Sequence, residues 1–381
     1  MDVMIEAAHF GHHEADPRAL LYYEWCQRVE SGYAVADFEE EVHELARTDR
    51  PVPAACWRLL DKIERAPRLA DWPYTEWRDA PRPGNTAASE QDSAILPDHE
   101  LLDRIHGGWL GRRIGRTTDH EVDYAVLGLH LLERRGLDFD PDDVAAEWLE
   151  RLPFLQTYTA ERVAYRNLID GFAPPDTATY RNPYREWIGA LARADIHGYT
   201  HPGRPRRAAA AAARDASISH TGNGSWAAMW AAALIAAAFT DPTPAAALAT
   251  AATVIPARSR LAVALSEVLA DRARGDSWEQ AATAIHTRHA HYNRLHAIGN
   301  SCLIAAGLLW GEGDFTRTVE LAAQGGGDAD ANAAIAGSVS GIRVGAAGIR
   351  AARTAPFHHA VAGAEGTRIH DFASRTARLV G

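Results

Sequence analysis

An all-α architecture is what this sequence predicts, and three observations predict it. Apolar residues recur at three- and four-residue spacing in short segments. Those segments open at Asp or Ser with Pro or acidic residues in the first turn, and close at cationic residues, Gly or Pro. Runs of alternating Val, Ile and Thr are missing, so nothing in the chain asks for a sheet.

The 381 residues are 47% hydrophobic and 23% charged, enough apolar material for one large core or two modest ones. A net charge of −11 argues against a broad nucleic-acid surface, because phosphate contacts need clustered Lys and Arg. Cys26, Cys56 and Cys302 lie far apart without metal-site spacing, the pattern of a reducing compartment, and a cytoplasmic protein is expected. The opening MDVMIEAAHFGHHEADP lacks the basic and then apolar order of a secretory signal. The longest apolar run, residues 226–239, is shorter than the ~20 residues that span a bilayer, so a buried helix and no membrane partner are expected.

Taken in order, residues 19–69 read as helices punctuated by Pro51 and Pro53. Residues 73–97 turn to Pro, Gly, Ser and Asn, a linker or a loop wrapping the next unit; the division is an N-terminal helical extension with its linker, 1–97, and a main domain, 98–381. In HGGWLGRRIG, at 106–115, glycines at helical spacing allow another backbone to pack close. A helix is expected from Tyr124 to Gly136, preceded by the acidic run of Asp119, His120, Glu121, Val122 and Asp123. The next is capped by Asp140, carries Pro141 in its first turn and turns Val144, Trp148, Leu149 and Leu152 to the core. After the Ala-rich helix around residues 208–213, Gly222, Asn223 and Gly224 open the apolar 226–239 helix, where exposed N–H groups suit a phosphate or ribose as well as a plain turn. From Ser277 the chain is helical again; His286 and His289 share a face but lack the carboxylate motif of a zinc site.

The stretch with most chemistry is QGGGDADAN, 324–332. Three glycines lead into two carboxylates and a carboxamide at alternate positions, just before a small-residue helix. One reading is a helix cap by Asp330 or Asn332; the other is a hard divalent cation, since Mg²⁺ needs one or two carboxylates and keeps waters. An EF-hand loop is excluded, because Ala333 and Val339 would stand at its glycine and glutamate positions.

The run GGGDADANAAIAGSVSG resembles the C-terminal signature of the ADP-ribosylglycohydrolase family, HGGWLGRRIG its opening motif, and NPYREWIGA at 182–190 a segment of a bacterial subgroup. The resemblance covers residues 101–346. It implies a compact all-α domain that hydrolyses a ribosyl glycosidic bond with Mg²⁺ or Mn²⁺. It also implies metal-ligand roles for Asp119, Glu121, Asp328 and Asp330, and catalytic roles for Asp119, Glu121 and Asp328. Substrate would be held by His120, Asp123, Gly222, Asn223, Gly224 and Asn332. Arg181, Arg185 and Asp195 are further candidates, the arginines either for phosphate or for an ion pair with Glu186, and His296 and Asn300 support the site from behind. Three departures stand out. The family's glutamate-bearing loop after Gly115 is absent, Ala331 replaces a frequent hydroxyl residue, and His120 lies among the acids. They point to a specialised glycohydrolase of a nucleotide-like small molecule, or to an inactive ADP-ribose-binding protein.

Overall fold

The computed structural model describes residues 16–48, 52–76, 96–116, 124–349 and 367–380. Among these there are nineteen α-helices and no β-strand, with isolated bridges between Tyr33 and Arg68 and between Trp187 and His296. No described helix is long and apolar enough to cross a membrane, and the three cysteines are free.

The helices form where caps and apolar faces say they should. Pro141–Arg151 opens with a reciprocal box: the Asp143 N–H donates to Asp140 Oδ1 at 2.9 Å and the Asp140 N–H to Asp143 Oδ2 at 3.1 Å. Its buried face is Val144, Ala145 and Trp148, followed by Leu152. Leu149 is 48% exposed and does not join that face, since it lies one residue round the helix from Trp148. All but the last two residues of the 226–239 run lie in the helix Gly222–Ala237, which is buried along its whole length from Asn223. Being apolar on all sides, it is the helix other helices surround, and the Ala-rich helix Pro205–Ala216 packs along it.

A second helix pair positions the site. Asp98–Gly115 and Ala329–Gly348 lie against each other along a seam of small residues. A Cβ added at Gly111 would stand 1.9 Å from the Gly337 carbonyl oxygen, one at Gly115 2.2 Å from that of Ala333 and one at Gly107 2.2 Å from that of Gly341. The four-residue spacing of these glycines keeps them on one face, so the backbones approach closely over two turns. Trp109 closes the outer side, stacked on Phe372 at 5.4 Å and donating to Thr376 Oγ1 at 3.1 Å.

The helices Pro17–Glu30, Glu39–Arg47 and Pro53–Glu64 share a small core of Leu21, Val42, Cys56, Leu59, Leu60 and Ile63. Ala19 and Tyr23 of the first of them belong instead to the main core, where the Tyr23 ring lies 5.7 Å from Trp187. Where the Pro-rich stretch is described, it lies on the rest of the chain: the Thr75 N–H donates to the Arg258 carbonyl at 2.9 Å.

Candidate functional site

Two helix ends make the site. The helix Ala329–Gly348 starts at Asp328, whose Oδ1 accepts the Ala331 N–H at 3.1 Å. Asn300, on the helix Ala297–Gly311, holds that turn from below. Its Oδ1 accepts the Asp328 N–H at 2.8 Å and the Asn332 Nδ2–H at 2.9 Å, while its Nδ2 donates to the carbonyls of Arg294 and His296 at 2.9 and 2.8 Å. Gly327 is required here twice over: its φ is +66°, and a Cβ would stand 2.5 Å from Asn300 Oδ1. Because the seam sets Gly115 against Ala333, the C-terminal end of Asp98–Gly115 brings Arg112 and Arg116 to the same place. Asp328, Asp330, Arg112, Arg116, Arg294 and Glu161 all line one cavity of about 420 Å³, a size suited to a small organic ligand.

The Glu161 wall is built under strain. Thr159, which also lines the cavity, has φ +42°, a left-handed conformation that a β-branched residue adopts at a cost of about 1–3 kcal/mol. It starts the helix Thr159–Ile169, two residues before Glu161. Glu161 is 5% exposed, and its Oε1 accepts from Arg193 Nη1 at 2.8 Å. The same guanidinium donates to Asp215 Oδ1 at 2.5 Å and to Ser219 Oγ at 2.8 Å. Burial pushes the Glu161 carboxyl above the usual range although Arg193 pulls it down, whereas Asp215, also buried, is held down to about 2 by Arg193 and His197.

The structure brings some expected residues together and separates others. Asp328 and Asp330 share the cavity, and the capping residue is Asp328 rather than Asp330 or Asn332. Asn332 is fully buried, and its Oδ1 has no hydrogen-bond donor. Asp119, His120, Glu121 and Asp123 lie outside the described residues.

Gly222, Asn223 and Gly224 sit elsewhere. The Asn223 N–H and Nδ2–H both donate to Glu186 Oε1, at 2.9 and 3.1 Å, so a carboxylate of the chain itself occupies the helix N-terminus. Glu186 pairs with Arg260, at 2.7 Å, and with neither Arg181 nor Arg185. Arg181 reaches Asp61 at 2.9 Å and Arg185 reaches Glu24 at 2.5 Å, which ties the N-terminal helices down. A larger cavity of about 670 Å³ lies on this side, lined by Gly222, Glu186, Arg181 and Arg185, and holds neither Asp328 nor Asp330. Asp195 is buried in an ion pair with Arg112 and accepts from Ser338 Oγ, so it fixes the arginine rather than facing a ligand. His286 Nε2 lies 2.7 Å from the Gly325 carbonyl and His289 Nε2 3.7 Å from Cys302 Sγ; among the described residues no group of three or more His, Cys, Asp or Glu gathers as a metal site.

Glu161 and Arg294 were not singled out from the sequence. For Glu161 a signal existed: it falls among Ala160, Val163 and Ala164, all fully buried, so its helix carries a carboxylate on the face that should be apolar.

Comparison with known proteins agrees with this architecture. Among curated proteins none matches the chain. A solved structure described as "ADP-ribosylglycohydrolase-related protein complex" aligns with 74% of this chain and 100% of its own, at 20% identity and a TM-score of 0.51, which shows the shared helical fold. The sequence model of the ADP-ribosylglycohydrolase family matches residues 72–381, a span that includes both helices of the glycine seam and every residue named on the cavity wall. On that match the chain belongs to the ADP-ribosylglycohydrolase family and is a glycosidic-bond hydrolase directed at ADP-ribose-type substrates.

Proposed function

We propose that the 420 Å³ cavity hydrolyses a ribosyl glycosidic bond with a hard divalent cation, Mg²⁺ or Mn²⁺, held by Asp328 and Asp330. The observation that carries this reading is that one capped turn sets two carboxylates on the wall of a cavity that three arginines also line. The donor chemistry fits. Mg²⁺ is satisfied by one or two carboxylates and several waters, and Asp328 and Asp330 both line this cavity. By the family pattern Asp119 and Glu121 would complete the ligand set, and Ala331 offers no hydroxyl to it. Such a cation, when bound, orients ribose hydroxyls and lowers the pKa of a bound water. Arg116 and Arg294 supply planar donors for the anionic part of the substrate. Arg112, tied to Asp195, keeps the wall between them rigid. In the sequence the family's glutamate loop after Gly115 is absent, which favours a nucleotide-like small molecule over a protein-linked ADP-ribose.

The test pairs calorimetry with an assay. Asp330→Asn is expected to lose Mg²⁺ binding while staying folded, and to slow hydrolysis by about 100-fold, the effect of removing a few kcal/mol of transition-state stabilisation. Substrates are ADP-ribosyl-arginine, ADP-ribosyl-serine and a panel of ribosylated nucleotide-like molecules. Fast turnover of the protein-type linkages would overturn the specialised reading. ADP-ribose binding without turnover of anything would make this a binding protein instead.

A further inference from the structure

Cleavage of a glycosidic bond needs a proton for the departing atom as well as a water for the anomeric carbon. Carboxylates that hold a cation are fixed in their anionic form and are poor proton donors, so Asp328 and Asp330 are unsuited to that task. We propose that Glu161 is the general acid of this cavity, giving its proton to the leaving atom as the bond breaks; the inference rests on the hydrolase reading above.

Three features of the fold support the assignment. Glu161 lines the same cavity as Asp328 and Asp330, from a separate element. Its place is enforced on both sides: Thr159 holds a left-handed backbone just before it, and Gly189 makes room for it, since a Cβ there would lie 1.9 Å from Glu161 Oε1. Behind it, one guanidinium serves two carboxylates. Arg193 is 2.5 Å from Asp215 and 2.8 Å from Glu161.

The same surroundings push the two carboxyls apart, Asp215 down and Glu161 up, the direction that suits a proton donor placed beside an ionised carboxylate. The remaining charged or titratable neighbours are His220, whose Nε2 is 4.0 Å from Glu161 Oε1 and which burial holds well below its usual range, and, around the cavity, Arg112, Arg116, Arg294, Tyr124, Tyr158, Asp328 and Asp330.

The step balances without a further reactant. The C1–O bond breaks heterolytically, its electron pair stays with the departing oxygen, and that oxygen takes the Glu161 proton and leaves as an alcohol. Water then bonds to C1 and releases a proton to solvent, while Glu161 takes one back from solvent.

Two ADP-ribosyl glycosides assayed with Mg²⁺ separate this role from a structural one: an alkyl glycoside, whose alkoxide must be protonated, and a 4-nitrophenyl glycoside, whose phenolate leaves unaided. Glu161→Gln is expected to lose about 10²- to 10⁴-fold in kcat on the first, the usual scale of general-acid catalysis, and roughly tenfold at most on the second. ADP-ribose affinity by calorimetry should be unchanged. Equal losses on both glycosides, or none on either, overturn the assignment. Glu161→Asp keeps a partner for Arg193 while drawing the carboxyl back by one methylene, and must give the same selective loss if the Gln variant does not fold. A parent protein that turns over neither glycoside overturns the hydrolase reading itself and Glu161 as acid with it; a parent active on both with an indifferent Glu161 overturns only the latter.

Discussion

Two glycine-bearing helix starts invite comparison: the one at residues 222–224 and the one at residues 325–328. In sequence both read as ligand loops, with small residues, a polar side chain and a buried helix behind. In the fold they are opposites. At the first, Glu186 fills the helix N-terminus and is itself held by Arg260 at 2.7 Å, by Gln27 Nε2–H at 3.0 Å and by Asn223. Polar groups there serve one another and fasten the N-terminal helices to the domain. At the second, Asn300 takes the backbone and carboxamide donors of the turn, and the two aspartates line a cavity. A loop becomes a site when its scaffold is satisfied by groups other than the ones that face the ligand.

The sharpest way to break this comparison is to remove the hub of the structural side. Glu186→Ala leaves the fully buried Arg260 with Glu76 as its remaining carboxylate, 2.8 Å from Nε, and strips the Asn223 N–H of its acceptor. Breaking a buried pair by removing one partner costs about 3–5 kcal/mol, and the shared Glu76 puts this case at the low end. Urea denaturation should show that loss. If the variant instead keeps its midpoint and loses ADP-ribose binding, the first loop is a ligand site after all.

A smaller effect tests a loose end of the same network. Glu30 lies beside His296, at 4.0 Å between Oε2 and Nε2, and burial, helped by Glu186, pushes its carboxyl up to about 8 although Arg260 opposes this. Folded, the group keeps its proton to about pH 8; unfolded, it releases it near 4.5. Between those values the native state binds more protons, so stability falls as pH rises: the contribution is fully present below 4.5 and lost above 8. The parent should therefore lose a few kcal/mol across that window relative to Glu30→Gln. Parallel stability profiles for the two proteins would show that Glu30 ionises as freely folded as unfolded.

What the sequence disclosed follows the range of the interaction. The helices were legible because caps and periodicity are local: Asp140, Pro141 and Val144 announce theirs unaided. The close packing of Gly107, Gly111 and Gly115 was legible too, but not its partner, since Gly337 and Gly341 lie more than two hundred residues away. The Asp328 turn could be seen; Asn300, which holds it, could be placed only as a helper. Glu186 could be paired with its neighbours Arg181 and Arg185 on proximity in the chain, whereas its partner Arg260 comes from another helix. Glu161 looked like one more helical glutamate until burial and Arg193 singled it out.

The smallest expected effect decides between the two readings that the acidic turn offered from the start, a cap or a cation ligand. Asp328 caps through Oδ1 to the Ala331 N–H, and asparagine caps about as well as aspartate, so Asp328→Asn should leave the denaturation midpoint nearly in place. Asp328→Ala removes the acceptor and should cost about 1 kcal/mol. The pair therefore separates the cap from the charge. If the turn only starts a helix, Mg²⁺ calorimetry should not tell parent from the Asn variant, and the Ala variant should differ in stability alone. If Asp328 holds a cation, both variants should lose Mg²⁺ binding to a similar extent while differing from each other by the cap. An Asn variant that binds Mg²⁺ as the parent does would return this turn to the same class as the Glu186 loop, a polar start that the chain uses for itself.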